Sequence, residues 1–168
     1  MGGAKASCAN PYKSLYDIQV KTATNETVSL SKYKGKVLFI VNVASQWDLT
    51  DEYYDDLIRI EQDYRYEGVE ILAFPCNQFH EQEPGTDQEI LQFVRNKRAT
   101  FEVFSKIDVN GKNASDLYKF LRLNSSLKGN TIGWNFGKFI VNRDASEIKY
   151  FVPKKSPKKI VVEMQKFL

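Results

Sequence analysis

The chain has 168 residues, 42% hydrophobic and 27% charged, which suits one soluble globular domain with a real core. No apolar run approaches the length of a membrane span, and the start, MGGAKASCANPYKS, lacks the apolar core of a signal peptide. The net charge of +3 is uneven: residues 122–168 carry 10 Lys or Arg against 3 Asp or Glu, and residues 1–121 carry 14 against 18. A basic end suits a solvated surface, or a landing surface for anionic substrates or lipid headgroups. Nucleic-acid binding is not expected, because no recognised module accompanies the charge.

Residues 1–11 are expected to form a disordered tail; Ala6 breaks the myristoylation pattern, which wants Ser or Thr there. Residues 14–20 and 26–30 flank a turn-forming Ala23-Thr24-Asn25 and predict a β-hairpin. Residues 37–43 are nearly all apolar and β-branched, which predicts a central strand buried on both faces. Thr50 is placed to cap the next helix, Leu49 and Tyr54 to staple it, Tyr53, Leu57, Ile60 and Tyr64 to face inward, and Gly68 to end it. Residues 69–75 read as a second buried strand stopped by Pro75. Thr86-Asp-Gln-Glu89 is a capping box, and Ile90, Phe93 and Val94 carry that helix inward. Residues 101–107 predict a short strand or extended segment and 114–123 a third helix. Residues 138–142 and 147–152 predict a final hairpin, and Ser156-Pro157 opens the last helix. Strands alternating with helices imply an α/β chain with a central mixed sheet flanked by helices, the plan of the thioredoxin fold, with no linker to divide residues 1–168.

Four stretches share one pattern: NVAS (42–45), LAFPCNQF with QEPG (72–79 and 82–85), FSKIDVNG (104–111) and WNFGKF (134–139). With these motifs, in this order and spacing from about Tyr12 to Leu168, the chain resembles the glutathione peroxidases. The short connection before WNF is similar to the monomeric, phospholipid-hydroperoxide-type branch, which implies a monomer. The resemblance implies thiol-dependent reduction of hydrogen peroxide and lipid hydroperoxides. Glutathione or another thiol would be the co-substrate, with no cofactor and no metal. It also implies a selenocysteine or cysteine nucleophile at the first βα turn, surrounded by a Gln, a Trp and an Asn, carried here by Gln82, Trp134 and Asn135. Neutral donors aimed at a nucleophile favour its anionic form, a helix N-terminus adds positive potential, and the same donors stabilise charge on a leaving oxygen.

The chain departs from that pattern where the chemistry is densest. The family reads NVAS-x-C-G-x-T, and this chain has Trp47 at the nucleophile's position and Asp48 at the glycine's. Tryptophan has no thiol, and a carboxylate beside the site would raise a thiol's pKa. Two explanations stand. Trp47 is a selenocysteine written as Trp, since UGA and UGG differ by one base, and Gln46 suits this. Alternatively Trp47 is genuine, the protein is a non-catalytic member with a binding or regulatory role, and Asp48 suits that. The helix after QEPG has no resolving cysteine, Arg95 or a neighbour standing in its place, so recycling through an internal disulfide is not expected. Gly133 replaces a residue that is often basic in the phospholipid-type branch, which weakens any carried-over lipid or glutathione contact. Cys76 is a candidate substitute nucleophile, though a buried structural thiol is the simpler expectation. His80, the only histidine, is expected to be exposed. Cys8 and Cys76 form no CxxC, and this cysteine usage fits a reducing, cytoplasmic setting. The sequons at Asn25, Asn113 and Asn124 would matter only if the chain were secreted behind a signal segment it does not contain.

Overall fold

Seven consecutive buried residues set the architecture. In the computed structural model, which describes residues 11–168, the hairpin β1 (Gln19–Lys21) and β2 (Thr27–Ser29) is followed by β3 (Val37–Val43), buried along its whole length. Next come α1 (Thr50–Tyr64), β4 (Val69–Pro75), α2 (Asp87–Asn96), β5 (Glu102–Val103), α3 (Asp116–Leu123), β6 (Lys138–Val141), β7 (Ile148–Phe151) and α4 (Val161–Gln165). The main sheet runs β5-β4-β3-β6-β7, with β3, β4 and β5 parallel and β6 and β7 antiparallel. This is the thioredoxin-fold plan, a parallel βαβ half joined to an antiparallel half across β3. The tail expected at residues 1–11, Pro11 excepted, lies outside the described residues, as does Cys8.

Side-chain alternation along β3 divides the core into two layers. Leu38 and Ile40 face a layer completed by Leu117, Tyr118 and Leu121 of α3. Phe39, Val41 and Val43 face the other, completed by Tyr53, Tyr54, Leu57 and Ile60 of α1, by Ile90 and Val94 of α2, and by Ile160 and Met164 near the C-terminus. Being covered on both faces explains why β3 is apolar at every position except Asn42.

The local signals hold where side chains meet their own backbone. The capping box at Thr86 and Glu89 forms in both directions. Gly68, at φ +88°, closes the short 3-10 turn that follows α1. Several expectations need correction. Thr50 is not a cap; it is the first residue of α1, after a Leu49 that makes no capping bond. Each hairpin strand is three residues long: a 3-10 turn at Leu15–Asp17, capped by Ser14, precedes β1, and another at Leu30–Tyr33, capped by Ser29, ends β2. Tyr64 is only partly buried. The last helix starts as a 3-10 turn from Pro157 to Ile160.

Candidate active site

Chemistry-bearing residues converge at one sheet edge, where β3 and β4 end and β6 begins. From Val43 the chain turns through residues 44–49 into α1, and four side chain and backbone ties hold that turn. Thr50 Oγ1 donates to Ala44 O (2.7 Å) and accepts from Trp47 N (3.1 Å). Gln46 N donates to Gln82 O (3.0 Å), and Ser45 N donates to Glu83 Oε2 (2.7 Å). Thr50 thus fixes the turn rather than capping the helix, a use of its hydroxyl that spacing alone does not reveal.

Glu83 is fully buried, and burial raises its carboxyl pKa against the lowering effect of the Ser45 bonds. Its backbone N–H donates to Asn77 Oδ1 (2.9 Å). Glu83 therefore links the QEPG stretch to the NVAS turn.

Trp47 is half-buried. Its ring stacks on Phe136 (5.4 Å between centroids, 26° between planes) and meets Tyr53 edge-on (5.2 Å, 83°). Phe136 is wholly buried at φ +61°, a conformation that costs a bulky residue about 1–3 kcal/mol. The surrounding bonds impose it: Phe136 N donates to Asn42 O (2.6 Å), and Asn42 Nδ2 donates to Trp134 O (3.0 Å). A side chain at Gly137 would press on Asn42 Oδ1 at 3.0 Å, so the strand entry is tight here. Asp48 beside Trp47 is exposed.

Of the residues singled out in the sequence, Gln82 and Asn135 are brought into direct contact, Asn135 Nδ2 donating to Gln82 Oε1 (2.7 Å). With its oxygen engaged, Gln82 keeps its amide N–H groups for another acceptor. Asn135 is fully buried and its Oδ1 has no partner among the described residues. Trp134 lies against the opposite core layer from Trp47, its ring beside His80 (4.7 Å) and Phe79 (5.7 Å). Among the described residues no ring contact joins the two tryptophans. His80 is exposed at φ +54°, in the turn that carries it under the indole.

Among the described residues, four of the six buried side-chain atoms without a hydrogen-bond partner belong to this region: Asn42 Oδ1, Tyr54 Oη, Glu83 Oε1 and Asn135 Oδ1. Buried polar groups are ordinarily hydrogen-bonded, so a cluster of unmet ones marks this region as a place for a ligand or ordered water. Cys76 ends the neighbouring strand, but it is buried, its thiol points to Gln78 Oε1 (3.5 Å), and burial pushes its pKa up to about 11. A thiol held protonated this way is a poor nucleophile.

A family model described as glutathione peroxidase matches residues 15–122. The chain belongs to the glutathione peroxidase family. Among similar glutathione peroxidases is the Arabidopsis thaliana "Probable phospholipid hydroperoxide glutathione peroxidase 6, mitochondrial", 49% identical over 158 residues, covering 93% of this chain and 68% of that protein. "Glutathione peroxidase 1" of Helianthus annuus is 48% identical over 158 residues, covering 93% and 95%. The crystal structure of T. cruzi GPX1 superposes with a TM-score of 0.72 at 32% identity, covering 92% of this chain and 96% of that one. A thiol:disulfide interchange protein from Chlorobium tepidum TLS, 10% identical with a TM-score of 0.67 over 95% of this chain and 99% of that one, shares the thioredoxin fold alone.

Three features of this candidate site escape sequence reasoning: the ties of Asn42, the burial of Glu83, and Lys138. Lys138 is fully buried at the start of β6. A polar residue inside an otherwise apolar strand, as Asn42 is, was the one available signal for the first.

Proposed function

We propose that this chain is a thiol-dependent peroxidase scaffold of the phospholipid-hydroperoxide type whose peroxidatic position is residue 47. As written, with Trp47, it does not turn over peroxide. The observation that carries this reading is the Gln82–Asn135 amide pair, tied through Gln82 O and Glu83 to the same turn that presents residue 47.

With cysteine or selenocysteine at 47, the thiolate or selenolate would attack one peroxide oxygen. Two electrons pass from S or Se into the breaking O–O bond, giving R–OH after protonation and a sulfenic or selenenic acid at 47. Two thiol molecules then return it to the starting state, releasing water and one disulfide. In this reading Gln82, Asn135, Trp134 and the N-terminus of α1 supply the donors and the positive potential that favour the anion at 47. Without a cysteine in α2, the reductant is an external thiol such as glutathione, and the protein works as a monomer.

The test is thiol consumption driven by hydrogen peroxide and by a phospholipid hydroperoxide, measured for the chain as written and for Trp47→Cys. Activity gained only by the cysteine variant is the expected result; a Trp47→Cys protein that folds but stays inactive would overturn it.

Two readings of Trp47 divide on its origin. In one, it stands where the natural protein inserts selenocysteine; mass spectrometry of the tissue protein would then find selenium at 47. In the other it is genuine, and the protein is a binding or regulatory member of the family. The seating of its ring between Phe136 and Tyr53, with Asp48 beside it, favours this second reading. Tryptophan found at 47 in the tissue protein would establish it.

A further inference from the structure

We infer that Lys138 is a pH-sensitive positioning residue for position 47, acting through Tyr53. Lys138 begins β6, three residues after Asn135, with no surface exposed. Among the described residues it makes no ion pair. Its Nζ instead donates to two backbone carbonyls, Val152 O (3.2 Å) and Pro153 O (2.8 Å), and lies over the Tyr53 ring at 4.9 Å. Tyr53 Oη donates to Lys154 O (2.9 Å), and the same ring meets Trp47 and Phe136 edge-on. One buried ammonium and one phenol thus fasten the segment 152–154 to the floor on which residue 47 sits.

The surroundings of Lys138 are almost free of charge. In the strand ladders it lies opposite Val41 of β3 and Phe151 of β7, neither ionisable. From α1 it meets the Tyr53 ring and the field of the Asp56 carboxylate, and from the segment after β7 only carbonyls. Desolvation therefore dominates, lowering its pKa from the ordinary 10.5 to about 7, with Asp56 opposing. A buried ammonium with two carbonyls and an aromatic face has three directed contacts; losing its proton removes the attraction to the ring and weakens both hydrogen bonds. The charged form grips Tyr53 and the 152–154 segment, and the neutral form loosens them.

The consequence for catalysis depends on position 47 being the peroxidatic position; the link from Lys138 to the Trp47 ring does not. A chain carrying Trp134→Phe and His80→Gln leaves Trp47 as the only tryptophan and removes the only imidazole. Its emission, followed from about pH 5.5 to about pH 9, should show one inflection near the pKa of Lys138, about 7. Lys138→Met and Lys138→Arg should each abolish it, the first having no charge and the second never losing it. An unchanged inflection in either variant, or none in the parent, would overturn the inference. Should both variants fail to fold, the unsubstituted chain with 13Cε-labelled lysine decides by NMR. One lysine titrating near 7 supports the inference, and all titrating above about 9 refute it.

In the Trp47→Cys background, log kcat/KM for thiol-dependent peroxide reduction should inflect at the same pH and lose that inflection with Lys138→Arg. An emission inflection without any Trp47→Cys activity would leave Lys138 coupled to position 47 and refute only the peroxidase reading.

Discussion

The two walls of the site are built differently. One, the β3–α1 turn with Trp47, is aromatic, its ring contacts being Phe136 and Tyr53. The other, carrying Gln82 and Asn135, is polar, and its amides bond to each other. The aromatic wall carries Trp47 and the exposed Asp48; the polar wall carries a buried amide. Yet the polar wall is fixed to the backbone of the aromatic one, through Ser45 N and Gln46 N, and not to the Trp47 side chain. Because these ties end on main-chain atoms, the cradle can persist whatever residue 47 is.

The comparison breaks most plainly at the nucleophile. Trp47→Cys should raise peroxide-dependent thiol oxidation at least about 10²-fold over the chain as written, since a missing nucleophile costs more than any other single loss; a coupled assay of thiol consumption reads it. Next in size, Phe136→Ala should cost about 3–5 kcal/mol, read by chemical denaturation, because it removes a wholly buried ring that supports both Trp47 and Tyr53. A loss under about 1 kcal/mol would show that the aromatic wall is not a packed unit.

On the polar wall, Gln82→Ala in the Trp47→Cys background should lower kcat/KM about 10²-fold, or about 2.7 kcal/mol, and leave stability nearly unchanged. A fall in stability with unchanged kinetics would make Gln82 a turn residue only.

The pH dependence comes from Lys138. Its folded pKa, about 7, lies below the unfolded 10.5, so between these values the unfolded chain binds more protons and this group's contribution to stability rises with pH. Below about 7 both states carry the charge, and its full burial cost is present. The stability of Lys138→Met minus that of the parent should therefore fall, by up to about 1.4 kcal/mol per pH unit, as pH rises from about 7 to about 10. A difference flat in pH would mean that Lys138 keeps an ordinary pKa. Arg122, also fully buried, is held differently: its guanidinium donates to three carbonyls, Asn130 O, Val109 O and Gly129 O. The smallest effect is expected for Thr50→Val, about 1–2 kcal/mol, through loss of the bonds to Ala44 O and from Trp47 N.

Much of the fold was legible because the signals are local. The apolar run of β3, the β4 run stopped by Pro75, the capping box at Thr86 and the turn at Asn25 each state their structure within a few residues. Residues 101–107 read as a short strand or extended segment, and the structure resolves that choice: Glu102 and Val103 pair with β4, and Phe104 N and Ile107 N bond to Ala73 O and Pro75 O beyond the ladder. Thr50 was misread because a threonine before an acidic turn is a good cap by sequence, whereas its hydroxyl is drawn to Ala44 O and Trp47 N in the preceding turn.

The order of elements, the two-faced burial of β3, the family motifs and the tryptophan at position 47 are legible in the chain alone. These depend on side-chain periodicity and residue identity, which are written in the chain. Only the tertiary structure decided that Gln82 meets Asn135, that Trp134 and Trp47 lie against opposite layers, that Phe136 is held left-handed under Trp47, and that Lys138 is buried without an acid. Each of these joins segments tens of residues apart, and its energy depends on burial and on the distance between groups, which no local pattern encodes.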